Sequence, residues 1–311
     1  MDFNYKPGLV SVIIPTYRRP DFIVRSVESV LKQTYTNLEC IVVNDNEQNS
    51  DDSKQLRKAI EPFEADSRFQ LLDQENHING SAARNFGLVH SQGEFVAFLD
   101  DDDYWEPTKI QKQVNFLNNH TNEWGAVTCL SALFNDKKLL RGSCPFKSGN
   151  IFIDILYRRI GIGTSPTLIR RIAIDDAGKF DITLKRHQDL QFFSQIAFKY
   201  KIGLIKEHLC YIESKSTINQ PKAEEMMEIK KRYYESISSL LSNLSKKQLA
   251  RMHLLNCFEL SFIYHKSGER KKALKNFLCI FKSPVVFYLA TERVFKRVVG
   301  KLFKKLLLKI Y

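Results

Sequence analysis

The chain has 311 residues, 43% hydrophobic and 26% charged, an ordinary mixture for a folded protein with a substantial core. No apolar run approaches the roughly 18–20 residues that cross a bilayer, and residues 1–6 lack the charged-then-apolar pattern of an export signal, so a cytoplasmic location is expected. The six cysteines show no Cys-x-x-Cys spacing, which argues against a zinc site or a disulfide frame.

In chain order, residues 9–14 (Leu-Val-Ser-Val-Ile-Ile) read as a strand stopped by Pro15, and 21–33 as a helix with Asp21 at its N-cap. A strand over 39–43, a helix over 51–63, a strand over 69–72 and a helix over 80–90 beginning near Asn79 or Ser81 follow. The strand over 95–99 runs into four consecutive acids, Asp100 to Asp103, and Pro107 suits the first turn of a helix over 108–119. This βαβαβαβα alternation predicts an α/β fold with a mostly parallel sheet covered on both faces.

Beyond residue 120 the pattern changes. Strands are expected over 126–134 and 137–140 around an Asn135-Asp136 turn, a helix over 151–160, a strand over 164–169 and a short helix over 170–177. A helix over 187–200 and a strand over 202–211 close the body. Residues 1–213 are therefore expected as one catalytic domain, 214–221 as a linker and 222–311 as an all-helical region. Tyr264, Gly268, Ala273 and Phe277 are spaced as in a helical hairpin, and a single copy of that pattern does not make a repeat array.

Charge is divided unevenly between these parts. The net charge is +12, yet residues 1–213 hold 26 basic and 28 acidic residues, and 214–311 hold 21 and 7. Over 291–311, Arg293, Lys296, Arg297, Lys301, Lys304, Lys305 and Lys309 recur every three to four residues among apolar positions, and no acid follows Glu292. That is the pattern of an amphipathic helix lying on anionic lipid. Nucleic acid is not expected, because no aromatic stacking patch accompanies the charge.

Chemistry is expected where strand ends meet, since open α/β sheets bind ligands at the carboxyl ends of their strands. Pro15-Thr16-Tyr17, Asn44-Asp45-Asn46 and Asp100 to Asp103 all fall at such ends. Neither a Gly-x-Gly-x-x-Gly turn nor a phosphate-cradling Gly-Lys-Ser/Thr loop follows the first strand, which argues against dinucleotide and P-loop folds. Adjacent carboxylates repel one another unless they face water or hold a divalent cation.

Val12-Ile13-Ile14-Pro15-Thr16-Tyr17, Cys40-Ile41-Val42-Val43-Asn44-Asp45, Ala83-Arg84-Asn85-Phe86-Gly87, Leu99-Asp100-Asp101-Asp102-Asp103 and Gln188-Asp189 occur in the order of the motifs of family 2 glycosyltransferases, whose nucleotide-sugar domain has the A-type, Rossmann-like fold. The chain resembles that family over about residues 9–213. The resemblance implies that Pro15, Thr16 and Tyr17 lie against the nucleotide and that Asp45 accepts hydrogen bonds from a uracil ring. It places Arg84 close to the nucleotide, Asp100 on the ribose and Asp101 among the donor contacts. Asp102 would bind Mn²⁺ or Mg²⁺, and Asp189 would be the general base. Arg158, Arg159, Arg186 and His187 could steer a diphosphate-linked acceptor. His77, His90 and His187 share no ligand spacing and read as ordinary polar residues.

The expected reaction is inverting transfer of one sugar from a nucleotide sugar, UDP-linked, to a hydroxyl of a glycan or lipid-linked acceptor in surface-polysaccharide synthesis, at the cytoplasmic face of a membrane. Asp189 stands at a helix start, whose dipole favours the ionised carboxylate. Asn44-Asp45-Asn46-Glu47 departs from the family's usual Asp-Asp-Gly-Ser, and Gln188 stands where Glu is usual. The Gln-x-x-Arg-Trp motif of processive synthases is missing, the tryptophans being Trp105 and Trp124. Two other readings remain open at this point: a nucleotidyltransferase that uses the acidic cluster for metal, and a non-catalytic nucleotide-sugar-binding scaffold.

Overall fold

The computed structural model describes residues 5–135, 138–143, 145–213, 223–292 and 294. The chain divides into two compact units, Met1–Ile151 with Ile162–Lys215, and Phe152–Gly161 with Ser216–Tyr311. The expected linker at 214–221, and the tail beyond 294, lie outside the described residues.

The first unit opens as β1 (Lys6–Thr16), α1 (Pro20–Leu31), β2 (Leu38–Asn44), α2 (Asp51–Ile60), β3 (Phe69–Asp73), α3 (Gly80–His90) and β4 (Gly93–Phe98). It continues as β5 (Tyr104–Trp105), α4 (Lys109–Asn118), β6 (Trp124–Asn135), β7 (Lys138–Gly142), β8 (Thr167–Arg170), α6 (Arg171–Ala177), α7 (Gln188–Lys199) and β9 (Lys201–Glu213), with α5 (Phe152–Leu156) falling in the second unit. The strand order is β3-β2-β1-β4-β8-β6-β9-β5, with β7 beside β6. The neighbouring pairs β3-β2, β2-β1 and β1-β4 are parallel. Val10, Val12, Ile13 and Ile14 of β1 are fully buried, as a strand covered on both faces requires. Beyond β4 the sheet is mixed: β8 runs antiparallel to both β4 and β6.

Several local details differ from the sequence expectation for physical reasons. Pro20 rather than a capped Asp21 opens α1, with Arg19 at the N-cap, because proline's preset φ suits a first-turn position whose N–H has no helical partner. Asn79 does cap α3, its side chain accepting from the N–H groups of Ser81 and Ala82. The helix expected over 151–160 stops at Leu156, and Arg158 follows with φ +54°. The two-residue strand β5 is too short to carry a periodic signal; it pairs with Tyr211 and Cys210 of β9.

Helix α3 lies flush on the sheet because Gly87 has no side chain. A Cβ there would stand 2.5 Å from Ile13 Cγ2 and 3.0 Å from Val43 Cγ2. Phe98 of β4 meets Phe180 edge-on at 5.1 Å, and Phe180 stacks on Phe192 of α7 at 4.0 Å. Asn85 of α3 donates to the Phe180 carbonyl at 2.9 Å and accepts from the Phe180 N–H at 3.1 Å. Strand β4 and helices α3 and α7 are thus tied together through one segment.

In the second unit, α8 (Ala223–Ser236), α9 (Ser238–Leu241), α10 (Lys246–Lys266) and α11 (Arg270–Leu278) precede a 3₁₀ turn, Cys279–Lys282, and a further helix α12, Pro284–Glu292. Ser245 and Gln248 form a capping box at the start of α10. Gly268, at φ +79°, turns α10 into α11, and Leu260, Tyr264 and Ala273 pack in that hairpin.

Gly87→Val is expected to lower stability by about 1–3 kcal/mol, the usual cost of overpacking, and to reduce activity as α3 lifts from β1 and β2. Thermal unfolding at native stability with unchanged activity would contradict the close-approach argument.

Candidate active site

Strands β2, β1 and β4 end on one edge of the sheet. Thr16 pairs in register with Asn44, and the Leu99 N–H donates to the Ile13 carbonyl at 3.0 Å, so residues 16, 45 and 100 follow adjacent strand ends.

The four acids after β4 divide into two pairs. Asp101 and Asp103 turn inward, only 5% and 3% exposed. The Thr16 hydroxyl donates to Asp101 Oδ2 at 2.8 Å. The Ser165 hydroxyl donates to Asp103 Oδ2 at 2.6 Å, and the Glu213 N–H donates to its Oδ1 at 3.2 Å. Antiparallel β8 delivers Ser165, whose carbonyl also accepts from the Trp105 indole at 2.8 Å. The Ser26 hydroxyl lies 2.7 and 2.6 Å from the carbonyls of Asp101 and Asp103. Burial pushes the Asp101 carboxyl up to about 6, against the pull of Thr16 and Arg19. Burial also raises Asp103, and the nearby charge of Asp100 adds to the rise.

Asp100 and Asp102 are the outward pair, their side chains 40% and 14% exposed. Arg84 of α3 forms an ion pair with Asp100. Arg19 meets Asp102 at 2.7 Å and Asp101 at 3.3 Å, and Arg25 donates to the Asp102 carbonyl at 2.6 Å. Asp101, expected among the donor contacts, is anchored inward with Thr16. Successive residues leaving a strand cannot all face the same way, and the inward positions offer hydroxyl and backbone donors.

Asp189 sits in the first turn of α7. Its charge, with those of Asp100 and Asp101, acts on Arg84: burial opposes the Arg84 charge, and the three acids outweigh it. Asp189 itself is pushed up to about 6, by burial first and by Asp100, while Arg84 opposes. The helix start was expected to hold this carboxyl down; desolvation wins, since a buried carboxylate loses more hydration than one helix end returns. Asp100, Arg84 and Asp189 form one electrostatic group, although 89 residues separate the two acids.

At the β2 end, Asp45 is 2% exposed and His77 Nδ1 lies 2.8 Å from its Oδ2. The imidazole stacks on Tyr17 with ring centres 3.8 Å apart and planes 8° from parallel. Burial raises the Asp45 carboxyl, with His77 opposing. Asp45 Oδ1 is buried with no well-aligned hydrogen-bond partner, the Ile78 backbone N–H also drawing on this carboxylate, so it has acceptor capacity for a donor group. Asn44 holds the turn through Ser53, Asp73 and Asn46. The spacing of His77 marks it only as an ordinary polar residue; its place four residues after β3, on the same sheet edge, is the signal that points to the site. Arg19 and Ser165 carried no spacing that marked them. Arg158 and Arg159 belong to the second unit, where they pair with Glu259 at 3.6 Å and Asp154 at 2.6 Å.

Among the described residues, no three His, Cys, Asp or Glu side chains gather to cage a metal ion. An all-protein cage is not what Mg²⁺ or Mn²⁺ needs at a phosphate site: one or two carboxylates plus substrate oxygens suffice. The hard oxygens of Asp102 at the mouth of the strand end fit that role.

A family model described as "Glycosyl transferase family 2" matches residues 11–162. The chain is 30% identical over 272 residues to the UDP-Glc:alpha-D-GlcNAc-diphosphoundecaprenol beta-1,3-glucosyltransferase WfgD of Escherichia coli, covering 84% of this chain and 98% of that one. Among solved structures, S. aureus TarS 1-349 in complex with UDP-GlcNAc superposes with a TM-score of 0.63 at 19% identity, covering 90% of this chain and 83% of that one. The mannosyltransferase PcManGT from Pyrobaculum calidifontis, in complex with GDP-Man and Mn²⁺, gives 0.57 at 16% identity, covering 92% and 79%. At such identities the structures show the shared A-type fold. With the WfgD relationship spanning nearly the whole of that relative, the chain belongs to glycosyltransferase family 2.

Proposed function

We propose that this glycosyltransferase moves one sugar from a UDP-sugar to a hydroxyl of a lipid-linked glycan, with inversion at the anomeric carbon, during surface-polysaccharide synthesis. Residues 1–213 carry the chemistry and 222–311 meet the cytoplasmic face of the membrane. Its family membership sets aside the nucleotidyltransferase and scaffold readings. The observation that carries the proposal is the electrostatic group of Asp100, Arg84 and Asp189 at the sheet edge, where the Asp189 carboxyl is raised to about 6 beside the Asp100–Arg84 ion pair. The relative WfgD, whose printed activity uses UDP-Glc and a diphosphoundecaprenol-linked sugar, supports the donor and acceptor classes.

In this reading the uracil N–H donates to the open Oδ1 of Asp45, and Tyr17 offers the aromatic face beside it. Asp100 holds the ribose. Arg84 places positive charge where the departing diphosphate gathers negative charge, an effect that is strong because the guanidinium is largely buried and fixed. Asp102 would hold Mn²⁺ or Mg²⁺, which when bound neutralises charge on the diphosphate. Arg19 must release or share Asp102 as this happens. Asp189 then takes the proton of the acceptor hydroxyl as that oxygen attacks from the face opposite the leaving group.

Thermal unfolding with UDP-, GDP- and dTDP-sugars, each with and without Mn²⁺, tests the donor. Ligand at 100 times its Kd stabilises the native state by about 2.7 kcal/mol, or about 5 °C for a domain of this size. The UDP-sugar should give the largest shift, with Mn²⁺ enlarging it and Asp45→Ala abolishing it; a larger shift with a GDP-sugar overturns the assignment. Asp189→Asn should lower kcat by about 10²–10⁴-fold and leave donor-dependent stabilisation intact. Unchanged transfer removes Asp189 as the base. The ionised carboxylate is the active form, so wild-type kcat/KM should fall as the pH drops through about 6, the value to which burial raises Asp189; a profile flat down to pH 4.5 would contradict it.

A further inference from the structure

The second unit exposes an apolar surface that its own packing uses only in part, Phe277 lying 6.0 Å from the buried Phe258. On α11 and the 3₁₀ turn after it, Leu274, Phe277, Leu278 and Phe281 follow an i, i+3, i+4, i+7 spacing and so share one face. All four are exposed, Leu274 by 59% and Phe281 by 60%. Phe287 and Tyr288 of α12 extend the surface, Tyr288 being 64% exposed. The side chains are contiguous: Phe277 lies 6.2 Å from Phe281, and Phe281 lies 5.4 Å from Phe287. Adjoining faces of the same helices do pack, since Ala273, Ile280, Val286, Leu289 and Ala290 are buried. Exposed large apolar side chains that adjoin one another mark a contact surface, whereas scattered single ones do not.

Its charges indicate what it contacts. Arg270, Lys271, Lys275 and Lys282 are exposed around it, and no acidic residue falls between Arg270 and Thr291. Seven further basic residues and no acid follow Glu292. Among the described residues no single helix is long and apolar enough to cross a membrane; Arg270–Lys282 and Pro284–Glu292 together have the length and composition for it but are bent by 118°. Two short apolar arms set at such an angle and ringed by lysines suit shallow seating in the headgroup region, with the lysine stems reaching outward to phosphates. A second copy of this chain would set like charges against each other across the same patch, so charge complementarity favours an anionic lipid surface.

We propose that α11, the Cys279–Lys282 turn and α12 form the membrane-seating surface of the chain, inserting Leu274, Phe277, Leu278, Phe281, Phe287 and Tyr288 into an anionic leaflet. This deepens the membrane reading above by assigning it to a folded aromatic surface, where the sequence pattern had pointed to 291–311.

Co-sedimentation of the full chain with phosphatidylcholine vesicles, with and without about 30 mol% phosphatidylglycerol, tests it. The wild type should bind the anionic vesicles about tenfold or more tightly than the neutral ones, with binding falling as salt is raised. Phe281→Ser with Tyr288→Ser should reduce partitioning onto the anionic vesicles by about tenfold or more, through lost apolar insertion. A second pair, Leu274→Ser with Leu278→Ser, should do the same. These are exposed positions, so both variants should keep the wild-type melting temperature and the wild-type stabilisation by UDP-sugar, a readout of the donor site that succeeds or fails independently of lipid. Wild-type partitioning by either pair overturns the proposal. So does a wild type indifferent to anionic lipid, and so does a wild-type dimer in solution that both pairs convert to monomer, which would assign the surface to a second copy.

Discussion

Four like charges in a row at the end of β4 form the constraint around which the site is arranged. Two carboxylates about 6 Å apart repel by about 3 kcal/mol at an effective dielectric constant near 20, so a run of four needs compensation from several elements. Asp101 and Asp103 are drawn inward by Thr16, Ser165 and the Glu213 backbone, while Asp100 and Asp102 stay outward and take Arg84 and Arg19. The compensating groups come from the β1–α1 junction, α3, the approach to β8 and the end of β9.

The two ends of that arrangement differ in rigidity. Arg84 is carried by a helix pressed on the sheet through Gly87, and the neighbouring Asn85 clamps the Phe180 backbone with two hydrogen bonds. Phe180 stacks on Phe192, one turn along α7 from Asp189. The acid raised toward neutrality and the guanidinium facing it are thus held by the same aromatic core, which preserves their separation. Arg19, by contrast, is 42% exposed at the start of α1, where it pairs with Asp102 and Asp101. Buried positive charge at Arg84 and more exposed positive charge at Arg19 suit the proposed reaction, in which a charged donor binds and a diphosphate departs.

Surface chemistry in the second unit is of another kind. The first unit buries its apolar side chains against a sheet, and its net charge is close to balanced. The helices after residue 222 expose aromatic side chains among lysines, with little acid to offset them. Under the reaction proposed above, these basic, aromatic helices would hold the enzyme near the surface that carries its acceptor.

What the sequence determined by itself was the set of local patterns: the alternation of strands and helices through residue 119, the Asn79 cap, the acids at strand ends and the order of motifs shared with family 2 glycosyltransferases. These are readable because period, capping and motif spacing depend on residues near one another in the chain. Only tertiary structure decided which acids face outward, that β8 runs antiparallel and so brings Ser165 to Asp103, that His77 pairs with Asp45 and stacks on Tyr17, and that burial raises the Asp189 carboxyl where a helix start alone would lower it. Those outcomes turn on desolvation and on partners 30 to 110 positions away, which no local pattern encodes.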